Sequence, residues 1–174
     1  AISIATEDSQ VLDVKRASDE DKTNVQLYTN YGNPNQKWIV SHDEKGYVII
    51  KNVNSKKALT IESANNKELV YQLKYKELDE QKWIVTKLDK GYQIHSAKDF
   101  AYVLDLKNGK VNNGTSIQVY QNYTNEAQVW NFIETEESVY DKLAMQNKSV
   151  IKDGTYAISI ATEDSQVLDV KRAS

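Results

Sequence analysis

His42 and His95, the chain's two histidines, stand about fifty residues apart. Neither has the closely spaced partner that a metal site or an HExxH helix requires. Cysteine is absent, which removes the thiolate nucleophile, the sulfur metal ligand and the disulfide framework together. No Gly-x-Ser-x-Gly elbow, Gly-x-x-x-x-Gly-Lys cradle or Gly-x-Gly-x-x-Gly turn occurs. The 25 Asp and Glu could supply a paired-carboxylate site, although acid pairs in polar loops ordinarily just solvate a fold. This inventory argues against an enzyme and calls for no cofactor and no metal. What the chain does repeat is Gln-x-Trp: Gln36-Lys37-Trp38, Gln81-Lys82-Trp83 and Gln128-Val129-Trp130, roughly 45 residues apart.

A period of that length means one supersecondary unit copied three times, no copy being able to bury its apolar face alone. Aligned on the tryptophans, the units are about 1–44, 45–89 and 90–135, the second and third opening Lys45-Gly46-Tyr47 and Lys90-Gly91-Tyr92. Each holds about four strand-like runs. In the second unit these are Tyr47–Ile50, Ala58–Ile61, Leu69–Leu73 and Trp83–Val85, rich in β-branched and aromatic residues and parted by polar turns. Twelve short strands, one proline and no sustained helical period predict an all-β, closed, three-lobed barrel, since closure removes exposed strand edges.

Residues 136–153 break this pattern. Tyr140, Leu143 and Ala144 fall at helical spacing there, so a short helix or a linker is expected. Residues 154–174 read as the start of a further repeat, for Ala157–Ser174 is identical to Ala1–Ser18. A tandem array of a longer unit, or a chain cut or permuted at this point, would each produce that identity. Ala1 falls inside a strand-like run with no leader ahead of it, so an excised or processed piece is expected. A formal charge of -3 with both signs interspersed gives no basic stripe for nucleic acid, and no apolar run is long enough to insert in a membrane.

Three Gln-x-Trp copies in register, with Val11-Leu12-Asp13-Val14 and Gln26-Leu27-Tyr28 ahead of the first, resemble the ricin-type β-trefoil lectins over residues 1–135 and again over 154–174. Gly154-Thr155-Tyr156-Ala157-Ile158, followed by Val167-Leu168-Asp169-Val170, is most similar to the subgroup found as tandem sugar-binding modules in secreted Gram-positive bacterial proteins. The resemblance implies a β-trefoil with one pocket per unit, built from an Asp, an aromatic about fifteen residues on, and an Asn beside the Gln of Gln-x-Trp. Such a carboxylate accepts from adjacent sugar hydroxyls, the amide supplies donor and acceptor, and the ring covers the apolar face of the sugar.

Carried over residue by residue, the first pocket has Asp13, Gln26, Tyr28, Asn35 and Gln36. The third has Asp105, Gln118, Tyr120 and Gln128, but Ala127 replaces the Asn, which predicts a weaker or altered site. The second has Thr60, Leu73 and Glu80 at those positions, which predicts a dead one. Read one at a time, the residues have plainer roles. The tryptophans are core residues that fix the pseudosymmetry, and the adjoining glutamines satisfy turn backbone groups. An Asp at a strand end also serves as a turn acceptor, and Tyr28 and Tyr120 also suit cross-strand packing. Tyr31 and Tyr123 either line the pockets or cover the loops.

Two functions follow. The first is a non-catalytic, secreted or cell-surface carbohydrate-binding module for galactose or N-acetylgalactosamine-type glycans, with the first pocket dominant. The second is a structural, self-assembling module in which 154–174 of one molecule replaces the matching first segment of the next, head to tail.

Overall fold

The computed structural model describes residues 1–160 and 163–167. One compact part, Ala1–Thr135, holds all three repeats and carries thirteen strands in one hydrogen-bonded sheet. In chain order these are β1 (Ile2–Ile4), β2 (Glu7–Val14), β3 (Val25–Thr29), β4 (Trp38–His42), β5 (Val48–Asn52), β6 (Ala58–Thr60), β7 (Glu68–Leu69), β8 (Tyr71–Leu73), β9 (Trp83–Leu88), β10 (Gly91–Ser96), β11 (Tyr102–Leu106), β12 (Ile117–Gln121) and β13 (Trp130–Phe132). The expected run from Leu69 to Leu73 divides because its two ends have different partners. Leu69 pairs with Gln118 of β12, whereas Tyr71–Leu73 pairs with β6. Val70 sits between them, donating to Ile117 O and accepting from Val25 N.

Six strands form the wall, through the antiparallel pairs β4–β5, β5–β9, β9–β10, β10–β13 and β13–β1. Three hairpins, β2–β3, β6–β8 and β11–β12, cap it and are joined by the contacts Asn24↔Tyr71, Gln26↔Ser116 and Gln118↔Leu69. Threefold symmetry is carried by the core: Ile2, Ile50 and Ile94 form one equivalent set, Leu12, Leu59 and Leu104 another, and Val25, Val70 and Ile117 a third, all essentially inaccessible. Burying each such side chain contributes roughly 1.5–3 kcal/mol, so the repeat pattern is also the stability pattern. Each junction is closed by the carbonyl of the residue before a tryptophan, which accepts from the start of the next unit: Lys37 O from Val53 N, Lys82 O from Ala97 N, and Val129 O from Ala5 N.

Register corrects two details of the sequence reading. Tyr47 and Tyr92 are not equivalent. Val48 stands opposite Trp83 and Tyr92 opposite Trp130, because the hairpin before β5 has one residue more than the one before β10. Trp83 and Trp130 are fully buried, but Trp38 is only partly so, and Ile39 and Val40 beside it are exposed. Among the described residues no ladder joins β4 to β1, so nothing stands opposite Trp38 as Val48 stands opposite Trp83 and Tyr92 opposite Trp130.

Gly91 shows how tightly a junction packs. Its φ is +142°, and a Cβ there would lie 2.8 Å from both Trp130 O and Asn131 Oδ1. Gly91→Ala is expected to cost about 2–3 kcal/mol through backbone strain and displacement of β13. Urea unfolding measures this, and an unchanged midpoint would show that the junction yields freely.

A separate compact part, Glu136–Ser174, contains helix α1 (Glu136–Val150) and a hairpin of β14 (Ser159–Ile160) and β15 (Glu163–Val167). Tyr140 and Leu143 of α1 are exposed. The hairpin pairs Ser159 with Val167 and Ile160 with Glu163, with a register shift between Ser159 and Ile160. The same pairs and shift occur at Ser3↔Val11 and Ile4↔Glu7. Identical local sequence therefore yields identical pairing in two settings. Residues 161–162 and 168–174 of the duplicated segment lie outside the described residues.

Candidate functional site

Asp13, one residue before the end of β2, pairs across the hairpin with Gln26, and Asp105, one residue before the end of β11, does the same with Gln118. The period of two that buries Leu12 and Val14 inward also fixes these carboxyls on the hairpin's other face. Each strand is pinned by an indole: Trp38, Trp83 and Trp130 donate from Nε1 to Leu12 O, Leu59 O and Leu104 O, each at 3.0 Å. The accepting carbonyl belongs to the residue just before Asp13, Thr60 or Asp105. The core tryptophan thus sets where the pocket's floor lies.

The Gln of each Gln-x-Trp sits in a single 3-10 turn and stitches a loop to that floor. Gln36 Nε2 donates to Thr29 O (2.8 Å) and Asp13 Oδ2 (3.0 Å), while its Oε1 accepts from Tyr31 N (2.9 Å). Gln128 repeats this with Gln121 O (3.0 Å), Asp105 Oδ2 (3.1 Å) and Tyr123 N (2.9 Å). Gln81 does so too, with Lys74 O (2.9 Å), Thr60 Oγ1 (3.3 Å) and Lys76 N (2.7 Å). All three glutamines are buried, and the role persists in the unit without a carboxylate. Gln36 and Gln128 therefore position the aspartate rather than face solvent.

The two carboxylates differ in what remains free. Asp13 Oδ1 accepts from Gln26 Nε2 (3.0 Å), and Oδ2 accepts from both Asn35 Nδ2 (2.9 Å) and Gln36 Nε2 (3.0 Å). With about four acceptor directions on a carboxylate, one is left. Asp105 accepts only from Gln118 (2.7 Å) and Gln128 (3.1 Å), Ala127 having removed the third donor, so two are left. The expected carboxylate that accepts from two adjacent hydroxyls is thus available in the third pocket, while the Asn that completes the first consumes part of it.

Beside each carboxylate lie two tyrosines: Tyr28 and Tyr31 with ring centroids 6.5 Å apart, and Tyr120 and Tyr123 at 6.1 Å, both pairs tilted. A cavity of about 580 Å³ is lined by Asp105, Gln118, Tyr120, Tyr123, Asn125 and Ala127, among others. The structure thus brings together Asp13, Gln26, Asn35 and Gln36 at one place, with Tyr28 across the hairpin, and Asp105, Gln118, Tyr120 and Gln128 at another.

In the second unit Thr60 is buried and donates to Ala58 O (2.8 Å), and Tyr71 stands in the register of Gln26. Glu80, at the turn position that Asn35 holds in the first repeat, pairs with Lys98. His95 is a core residue, stacked on Phe100 at 3.9 Å and bridging Phe100 O and Thr86 Oγ1, while His42 is exposed at the end of β4.

One element of the pockets escaped the sequence reading. Each hairpin is clamped by a loop from another unit: Asn113 Oδ1 accepts from Thr29 N, Asn66 Oδ1 from Gln121 N, and Asp21 Oδ1 from Lys74 N. The next residue, Gly114, Lys67 or Lys22, has a positive φ and donates its N–H to Leu27 O, Val119 O or Gln72 O. An Asn or Asp recurring at the unit spacing, followed by a residue able to take a left-handed backbone, was the available signal.

Burial raises the pKa of both Asp13 and Asp105 above the ordinary aspartate value, opposed by the amide hydrogen bonds that favour the charged form. Asp13 has three such donors and Asp105 two. Asp105 is therefore expected to titrate at higher pH than Asp13, and Ala127→Asn to bring the two together. Carboxyl-detected NMR titration measures both. Asp105 titrating below Asp13 would remove the Asn donor from the account.

A three-lobed barrel with paired strands and a capped hairpin in each of three repeats is a β-trefoil. A family model described as Ricin-type beta-trefoil lectin domain-like matches residues 2–73, 34–120 and 79–174, and the chain belongs to that family. Comparison with curated proteins returns no match. Among solved structures, the designed threefold-symmetric protein ThreeFoil is 27% identical, with a TM-score of 0.73 over 77% of this chain and 96% of that one. The Rhizoctonia solani agglutinin is 29% identical, with a TM-score of 0.71 over 77% and 92%. A mosquitocidal holotoxin shares the fold at 24% identity and a TM-score of 0.72, over 98% of this chain but only 20% of the toxin.

Proposed function

We propose that the chain is a non-catalytic carbohydrate-binding module for galactose or N-acetylgalactosamine-type glycans, in a secreted or cell-surface setting. One observation carries this reading. A buried carboxylate, fixed from behind by an indole-pinned strand and two or three amides, keeps acceptor directions free beside a tilted tyrosine pair. Buried charge costs desolvation, so a carboxylate held with spare acceptors calls for donors from a partner rich in hydroxyls. Family membership and the likeness to an agglutinin support the same reading. The first pocket has the full residue set, and the third has the larger free acceptor capacity, so both belong to the proposal. Such small pockets bind single sugars weakly, and useful strength comes from several acting on one glycan surface.

The test is an NMR titration of isotope-labelled protein with galactose, N-acetylgalactosamine, glucose and xylose. Saturable shifts with the galacto-sugars at Asn35, Gln36, Ala127 and Gln128 are expected, and none at Gln81. Silence with every sugar would refute the module as a lectin.

The repeated hairpin favours a second, compatible reading. Ser159–Val167 pairs as Ser3–Val11 does, so the duplicated segment has the local form needed to replace the first one in another molecule. A mass in dilute solution that rises with concentration, and ceases to do so when 154–174 is deleted, is the expected result. A concentration-independent monomer would remove this reading.

A further inference from the structure

Resting on the sugar-binding reading above, we propose that the third-unit pocket selects a galacto-sugar that carries an acidic substituent, a carboxylate or a sulfate ester, and that Lys67 is the residue that recognises it.

Lys67 reaches this pocket from the second unit. Its backbone N–H donates to Val119 O at 3.0 Å, and the residue lines the same cavity as Asp105 and Tyr120. The threefold relation makes the comparison internal. At the first pocket the same place, fixed by the same hydrogen bond to Leu27 O, is held by Gly114, which has no side chain. Lys107 and Asn108 lie on the third pocket's rim as well, and their counterparts Lys15 and Arg16 follow Asp13 in the same way, so what distinguishes the third rim is a cation brought by Lys67 from the neighbouring repeat, where the first has Gly114. Lys67 and Lys107 are exposed, and neither takes part in an ion pair among the described residues. The cavity therefore has one carboxylate on its floor and two uncommitted ammonium groups on its rim.

The floor and the rim ask for different chemistry. Asp105 has two free acceptor directions, and Gln118 Oε1, on a residue 4% exposed, has no hydrogen-bond partner. A buried orphan acceptor is costly, and a ligand hydroxyl would satisfy it. Donors of the neutral part of a sugar thus belong on the floor. An acidic group set there would be repelled by Asp105, whereas on the rim it meets Lys67 and Lys107. Space for a substituent is also present. Ala127, Asn108, Gly109, Asn125 and Leu106 line both this cavity and an adjoining one of about 490 Å³, where the first pocket has the Asn35 side chain bonded across to Asp13 and Val14 O.

The experiment titrates the labelled full chain with galactose, galacturonate and galactose 6-sulfate at low and high salt. Amides of Asn125 and Ala127 report the third pocket, those of Asn35 and Gln36 the first. At low salt the third pocket is expected to prefer at least one acidic sugar by about five-fold, which is the scale of one exposed charge contact, and high salt should shrink that margin. Which acidic sugar wins assigns the substituent. Lys67→Gly should erase the preference and leave galactose binding in place, and its backbone suits glycine, so folding is not at risk. Gly114→Lys should confer the preference on the first pocket. Equal affinity for all three sugars in the unaltered protein, or a preference that survives Lys67→Gly, would overturn the assignment while leaving the lectin reading intact. Absence of shifts with any of the three would instead strike the lectin reading, and this inference with it.

Discussion

Trp83→Ala is expected to destabilise the trefoil by about 4 kcal/mol, and Trp130→Ala by a similar amount, since removing a fully buried aromatic side chain from a packed core costs about 3–5 kcal/mol. Both indoles are inaccessible and pack among the isoleucine and leucine sets that fill the barrel. Each also satisfies a carbonyl, Leu59 O or Leu104 O, which truncation would strand. Against a typical domain stability of 5–15 kcal/mol this is a large share of the whole. Trp38→Ala should cost about half as much, because Trp38 is only partly buried and β4 is exposed beside it, although its bond to Leu12 O is the same length. Urea unfolding of the three variants checks the order. Equal losses at all three would show that burial is not what ranks them. A milder probe, Trp130→Phe, keeps most of the apolar volume and removes the donor to Leu104 O, and should cost about 1–3 kcal/mol. Because Leu104 precedes Asp105, that variant is also expected to blur the third pocket's sugar shifts more than the first's.

The pseudosymmetry could be read from the chain because its determinants are local in sequence. Gln and Trp are separated by one residue, and the floor Asp and its Gln partner recur at the same offset in Asp13–Gln26 and Asp105–Gln118. These spacings are set by one hairpin and one turn, so the sequence carries them directly. The role of Gln36 and Gln128 was legible only in part. Their turn-stitching was evident from residue type, but the second bond of each, to Asp13 or Asp105, depends on a fold-back that a linear reading does not show. What stayed hidden comes from other units. Asn113 reaching Thr29 and Asn66 reaching Gln121 are contacts across more than one strand pair, and no periodicity within a unit reports them. The slip of Lys45-Gly46-Tyr47 against Lys90-Gly91-Tyr92 has a related cause. A matching tripeptide suggested one register, while one extra turn residue before β5 imposed another. The partial burial of Trp38 likewise depends on which strand lies beside β4, not on anything near Gln36.

Replacing Asp13 or Asp105 by Asn should weaken sugar binding at the altered pocket by about ten- to a hundred-fold, since a hydrogen bond to a charged group contributes about 1.5–3 kcal/mol. The substitution keeps shape while removing the charge. It also turns an amide NH2 toward the Gln and Asn donors that formerly faced an oxygen, so the side chain must rotate or lose one of them. Each variant should silence its own reporters and spare the other pocket's, and the double variant should bind nothing. Shifts that persist unchanged in the double variant would mean that sugars bind elsewhere. Stability separates loss of binding from loss of fold. Burial raises both aspartate pKa values, so the folded state holds these protons more tightly than the unfolded chain does. Each group therefore favours folding more as pH falls through its raised value, and its charge works against folding at neutral pH. The Asn variants should accordingly melt at or slightly above the parent temperature at neutral pH. Binding moves the other way. It needs the charged carboxylate, so affinity should decline on acidification while the pH is still above the ordinary aspartate range, earlier at the third pocket than at the first. Asp8, held below its ordinary pKa by hydrogen bonds from Asn131 and Ser3, loses its stabilising contribution only as pH falls further, through the ordinary range and below. A protein that stays folded while its pockets empty, the third before the first, is the expected course of an acid titration followed by NMR.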